Sequence, residues 1–251
     1  MMTVLKNCVL GISLAVTGSC LLMPVFAAAP VKIAEVAPVA DLVIEAQEKI
    51  AELETSLATN DSYLQAKKTG IPVDASTLAI LAQAIAESQP KADWKASAPD
   101  LRDAAAAVAK ATSYEEAKKG LDAIKAAAAG KSNGAKVEHD WKLAKLGHVM
   151  SEVNRRNGKL RRAARKMPAD PSEVSRDATV LAILALDIHA DTHEVKKDSD
   201  IAKWQKFSLD MQSGMSEASA AFKKKDATAA KNGFTKASKS CGACHEAFRD
   251  Q

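Results

Sequence analysis

The sequence predicts an all-α protein, two four-helix-bundle domains in tandem after a signal peptide. Three observations carry this reading. Aromatic residues make up only 4% of the 251 positions, and the Val/Ile/Thr/Tyr runs closed by Gly or Pro that mark strands are missing. Apolar residues recur instead at alternating spacings of three and four, the seam of a helix bundle. The chain also resembles itself: DASTLAILAQAI from Asp74 and DATVLAILALDI from Asp177 agree at eight of twelve positions.

Residues 1–27 read as a signal peptide. Lys6 precedes an apolar run from Cys8 to Leu22, and Val25-Phe26-Ala27 offers small-residue cleavage after Ala27. An uncleaved anchor fits less well, because the run is short and Pro24 interrupts its end. A lipoprotein at Cys20 lacks the usual apolar residue before Gly18-Ser19. No other stretch approaches the ~20 apolar residues that span a bilayer. A periplasmic protein without stable membrane insertion is therefore expected.

The repeat continues beyond the core string. Trp94 and Trp204 are each followed by Asp six residues later, and EEAKKGL at Gly120 answers TAAKNGF at Gly233. Three matches in the same order indicate duplication. A helix is expected to end at Gly130 within AAAAGKSNGAK, whose Gly, Ser and Asn suit a linker. The halves are accordingly 28–135 and 136–251.

In the first half, Val39, Val43, Ala46, Ile50, Leu53 and Leu57 form one seam, followed by helices over 75–86, 101–110 and 114–129. The second half predicts a helix over 140–166, stopped by Met167-Pro168, with Leu143, Leu146, Met150, Val153, Asn157 and Leu160 inward. A second helix over 171–190 turns Val174, Leu181, Leu184 and Ile188 inward. A third over 198–223 carries Trp204, Ser208, Met211, Met215, Ala218 and Phe222. A fourth starts near Asp226, a fitting N-cap, and runs through the cysteines to the end. Short connections favour an up-down-up-down bundle.

Loss of the signal peptide leaves Cys241 and Cys244 as the only cysteines, in Cys-Gly-Ala-Cys-His. Two thiols separated by two residues can add to the two vinyl groups of haem, and His245 follows as an imidazole ligand for iron. Competing readings are a zinc site, which needs a fourth ligand such as His189 or His193, and a thiol-disulfide centre, which belongs on a βαβ pattern that is missing here. Between Ala28 and Glu138 there is no Cys, His or Met. One haem c, covalently attached, is expected, with none in the first half.

On CGACHEAFRDQ at the end of a fourth helix, residues 137–251 resemble the class II c-type cytochromes, the cytochrome c′ family. The first half shares the resemblance weakly. The family commonly places an aromatic and an Arg after its Cys-x-x-Cys-His, matched by Phe248 and Arg249. The resemblance implies electron transfer, with small-gas binding in members whose iron has an open side. It also implies that an inward Met on the bundle's first helix marks the low-spin branch. Met150 fits that position as the second axial ligand beside His245, its competing role being simple core packing. His148, about 200° around the helix, cannot share the face of Met150; it lies with Trp141, Glu152 and Arg155, outward or toward the other half. Arg249 is expected to offset a haem propionate or to complement a helix end. Met211 and Met215 are expected in the pocket or core.

Lys and Arg against Asp and Glu number 13 to 15 over residues 28–136 and 21 to 16 over 137–251. The basic concentration from Arg155 to Lys166 reads as a solvated helix surface or as a steering patch for an acidic redox partner. Nothing resembles a nucleic-acid module. The expected function is thus a periplasmic electron carrier acting on redox partner proteins, not an enzyme. A five-coordinate protein binding NO or CO is the alternative, and a peroxidase ranks last for want of a distal His-Arg pair. The haem-free half is expected to give a pseudo-dimer within the chain, or the haem half a homodimer.

Overall fold

A computed structural model describes residues 29–88 and 94–249; the predicted signal peptide lies outside them. The described residues form ten α-helices and no strand. In order they are α1 (Ile33–Val36), α2 (Val39–Ser56), α3 (Asn60–Ala66), α4 (Gly70–Glu87), α5 (Ala98–Lys110) and α6 (Tyr114–Ala128) in the first half. The second half supplies α7 (Leu146–Arg165), α8 (Ser172–Ala190), α9 (Ile201–Lys223) and α10 (Ala227–Phe248). No single described helix is long and apolar enough to cross a membrane.

Local chemistry explains where several helices begin. The side chains of Thr59, Ser113 and Asp226 accept hydrogen bonds from the N–H groups of Ser62, Glu116 and Ala229 at 3.1, 3.2 and 2.9 Å, satisfying donors that a first helical turn leaves orphaned. The first helix of the second half, expected over 140–166, starts later, at Leu146. Asp140 instead bonds the N–H of Lys142 at 2.9 Å in a local turn. The N–H groups of Leu143 and Ala144 go to Asp187 Oδ1 at 2.8 and 3.2 Å.

The two copies of the repeated string lie in α4 and α8, and both are buried almost all round. This is the signature of helices with neighbours on every side. Within its own half α4 packs on α2 and α5, and α8 on α7 and α9; between the halves α4 meets α7 and α8, and α2 meets α8. One hydrophobic core therefore runs through both halves.

The repeated glycines both lie at close helix contacts. A Cβ on Gly120 of α6 would lie 2.4 Å from Val108 of α5, and one on Gly233 of α10 would lie 2.6 Å from the backbone of Ala218 on α9. In the second half the backbones of α9 and α10 cross too closely for a larger residue at Gly233, whereas at Gly120 it is the Val108 side chain that fills the space. The tryptophans diverge: Trp204 is buried in α9, whereas Trp94 sits in the turn before α5 with a left-handed φ of 65°.

The connection between α6 and α7 ends α6 at Gly130, φ 82°, and is held along its length. Asp100 accepts from Ser132 Oγ and Asn133 N at 2.7 and 3.1 Å. Gln83 donates to the Glu138 carbonyl, and Trp141 donates to Glu87 Oε1 at 3.1 Å. Its composition suits a linker, yet its bonds strap it to the first half.

Candidate functional site

The Cys-x-x-Cys-His motif occupies the last two turns of α10. Phe234, Ala237 and Phe248 of that helix are buried, and Cys241 and Cys244 pack half-buried along the same stripe. At about 100° per residue, Cys244 and His245 fall about 60° and 40° to either side of Cys241, so all three donors share an arc of about 100°. His245 is exposed, and its ring nitrogens make no hydrogen bond among the described residues. Gly242 is exposed, and a Cβ on it would meet no atom within 4 Å.

Phe248 anchors the end of the helix. Its ring meets Trp204 edge-on at 5.2 Å and Phe207 at 6.4 Å, and Trp204 Nε1 donates to the Ile188 carbonyl at 2.6 Å. Aromatic packing of this kind is directional, so the end of α10 is fixed to α8 and α9 by a ring on the same face as the motif. Arg249 is exposed at the helix end, its N–H bonded to the His245 carbonyl at 3.0 Å. Met211 and Met215 are buried in the core.

Burial pushes both thiols up, Cys244 to about 11, so they are protonated at neutral pH. A disulfide-exchange centre needs a thiolate, and these surroundings oppose one. Among the described residues no three His, Cys, Asp or Glu side chains come together to hold a metal ion. His193 pairs instead with Asp191, at 2.8 Å. Neutral thiols one turn apart and an unengaged imidazole fit covalent haem as a donor set.

Helix α7 presents two faces. The buried one carries Val149, Glu152, Arg156, Leu160 and Ala163 and is turned to α2, α4 and α8. This corrects the predicted inward stripe, of which only Leu160 is fully buried; Leu143, Leu146, Met150, Val153 and Asn157 are half-buried. The row of Leu146, Met150, Val153 and Asn157 lies about 90° around from the buried face. Side chains of the buried face reach α2, α4 and α8, so this row is left for α10, the other helix that α7 touches within its bundle. His148 lies away from it, its Nδ1 3.0 Å from Ser76 Oγ of α4, in the predicted direction of the other half.

The largest group of functional-type side chains went unread in the sequence. Lys49 Nζ of α2 lies 3.0 Å from Asp74 of α4 and 3.0 Å from Glu152 of α7. Arg156 of α7 meets Glu152, Glu45 of α2 and Asp177 of α8, each at 2.8 Å. Arg155 bonds Asp74 at 2.5 Å, and Lys159 bonds Glu173 and Asp177 at 2.5 and 3.3 Å. Burial pushes up on Glu152, but Arg156 and Lys49 outweigh it and hold its carboxyl below the usual range. For Glu45 burial prevails and raises it. Three of the seven basic residues of the run, Arg155, Arg156 and Lys159, thus join this cluster, and Arg161, Arg162, Arg165 and Lys166 remain exposed. The signal was present: Glu45-x3-Lys49 and Glu152-x3-Arg156 match, and Asp74 and Asp177 open the repeated string.

No protein-family model matches the chain, and no curated protein or solved structure matches it.

Proposed function

We propose that the chain is a periplasmic c-type cytochrome that carries one covalent haem c and passes electrons between redox partner proteins, as a carrier and not an enzyme. The observation that carries this reading is the set of two neutral, half-buried thiols and a free imidazole within one arc of α10. Each thiol S–H adds across a vinyl double bond, sulfur to one carbon and hydrogen to the other, so attachment needs no oxidant. The bound group supplies the one-electron chemistry of iron.

The chain's own residues do the rest. His245 would hold the iron through a ring nitrogen. Met150, on the α7 row left for α10, would supply a thioether sulfur to it. The Trp204–Phe248 contact packs apolar surface beside the motif on the same face of α10. Arg249 supplies a cation for a carboxylate of the group.

The haem-free half fills the place of a second copy. Its α2 and α4 meet α7 and α8 through matched residues, giving a pseudo-dimer within one chain. Native mass spectrometry of protein made where haem attachment operates tests both statements. The expected particle is one chain carrying one haem that survives denaturation. Haem lost on denaturation would overturn the attachment, and a two-chain particle would overturn the internal pairing. A high-spin spectrum at neutral pH would favour five-coordinate gas binding instead.

A further inference from the structure

Helix α7 is poorly equipped to hold itself in place. Its N-cap position is Lys145, which makes no capping bond, its first turn holds no acidic residue, and Gly147 is its second residue. Its buried apolar side chains are confined to Val149, Leu160, Ala163 and Ala164. Its contact with α10 is brief compared with that of α9. What grips it is charge, and much of that charge comes from the other half.

The grip spans three turns. Ser76 holds His148 at 3.0 Å, Lys49 holds Glu152 at 3.0 Å, Asp74 holds Arg155 at 2.5 Å and Glu45 holds Arg156 at 2.8 Å. Lys49, Asp74 and Glu45 are each 5% exposed or less, so solvent screens these pairs little and the geometry is closely fixed. All four contacts fall on the side of α7 turned away from Met150. A helix held from behind along three turns has little freedom to shift its opposite face.

We propose that the haem-free half is a fixed clamp on α7 that holds the Met150 row in position against the face bearing Cys241, Cys244 and His245. This rests on the reading of Met150 as an axial ligand. The half that lacks every ligand thereby acts on the iron through the helix that carries one, with Ser76 and Lys49 as positioning residues.

The test uses the full-length holoprotein and the rate at which carbon monoxide binds the ferrous form, which requires Met150 to be off the iron. Lys49→Met and Ser76→Ala should each raise that rate, Lys49→Met by roughly tenfold, or about 1.4 kcal/mol on the ligation equilibrium. Lys49→Arg should return it toward the wild-type value. Hydrogen exchange over residues 146–160 should quicken in the same two variants. Ser76→Ala removes one buried hydroxyl and no charge, so it remains informative if Lys49→Met does not fold. Folded variants with wild-type rates and exchange would overturn the clamp. A wild-type spectrum that Met150→Ala leaves unchanged would overturn it by a different route, by removing Met150 from the iron.

Discussion

Lys49 and Arg156 hold matching positions in the two halves, and each reaches across to the other's glutamate, Lys49 to Glu152 at 3.0 Å and Arg156 to Glu45 at 2.8 Å. Each also binds the aspartate that opens its own half's repeated string, Asp74 at 3.0 Å and Asp177 at 2.8 Å. Such reciprocity is what a twofold interface requires, in which residue i meets j and j meets i. The same reciprocal arrangement lies here inside a single chain.

Truncating the second of these cations should be costly. Arg156→Met leaves Glu45, Glu152 and Asp177 to their other cations, Arg176, Lys49 and Lys159 among them, and losing the charged hydrogen bonds of Arg156 should cost about 1.5–3 kcal/mol. Urea unfolding of the full chain measures it; a loss under about 1 kcal/mol would mean that the cluster adds little.

Met150 is open to a direct spectroscopic test. Met150→Ala should convert a low-spin ferric spectrum to a high-spin one and lower the reduction potential, because a thioether ligand favours the ferrous state. Retention of covalent haem in the variant separates lost ligation from lost attachment.

Asp187 predicts a pH dependence. It is fully buried, and burial raises its carboxyl to about 7 even though the N–H groups of Leu143 and Ala144 oppose the shift. Asp191 and Asp140 add to the rise. An acid whose folded value lies above its unfolded one favours the protonated, low-pH fold. Its contribution to stability is therefore full below about pH 4 and is lost as pH climbs to about 7. Asp187→Asn keeps an acceptor and removes the titration. The stability of the wild type relative to this variant should fall by up to about 4 kcal/mol across that window; a flat difference would refute the assignment.

Two glycines should respond in opposite ways. A Cβ on Gly214 would lie 2.7 Å from the backbone of Ala237 and 2.8 Å from that of Gly233, whereas one on Gly242 meets nothing within 4 Å. Gly214→Ala should cost about 1–3 kcal/mol by forcing α9 and α10 apart. Gly242→Ala should stabilise the haem-free chain by about 0.5–1 kcal/mol, as alanine does in an open helix interior. Thermal melts of both variants check this, and equal shifts would contradict the close crossing.

The sequence by itself determined the helical class, the seam of α9, the start of α10 at Asp226, the Cys-x-x-Cys-His spacing and the repeated string. Each is written in local terms, as a spacing, a cap or a repeated string, and local terms survive without knowledge of neighbours. The direction of α7 was decided by tertiary structure. Periodicity marks a stripe but is blind to charged side chains that are buried because a second half supplies their partners, so Arg156 reads as surface and Glu152 as outward or toward the other half, when both are buried. The late start of α7 has a similar cause: Asp187 captures the N–H groups of Leu143 and Ala144 from a distance of more than forty residues in the chain. Only the fold brings that carboxylate to them, and only the fold shows that the half without ligands grips the helix that carries Met150.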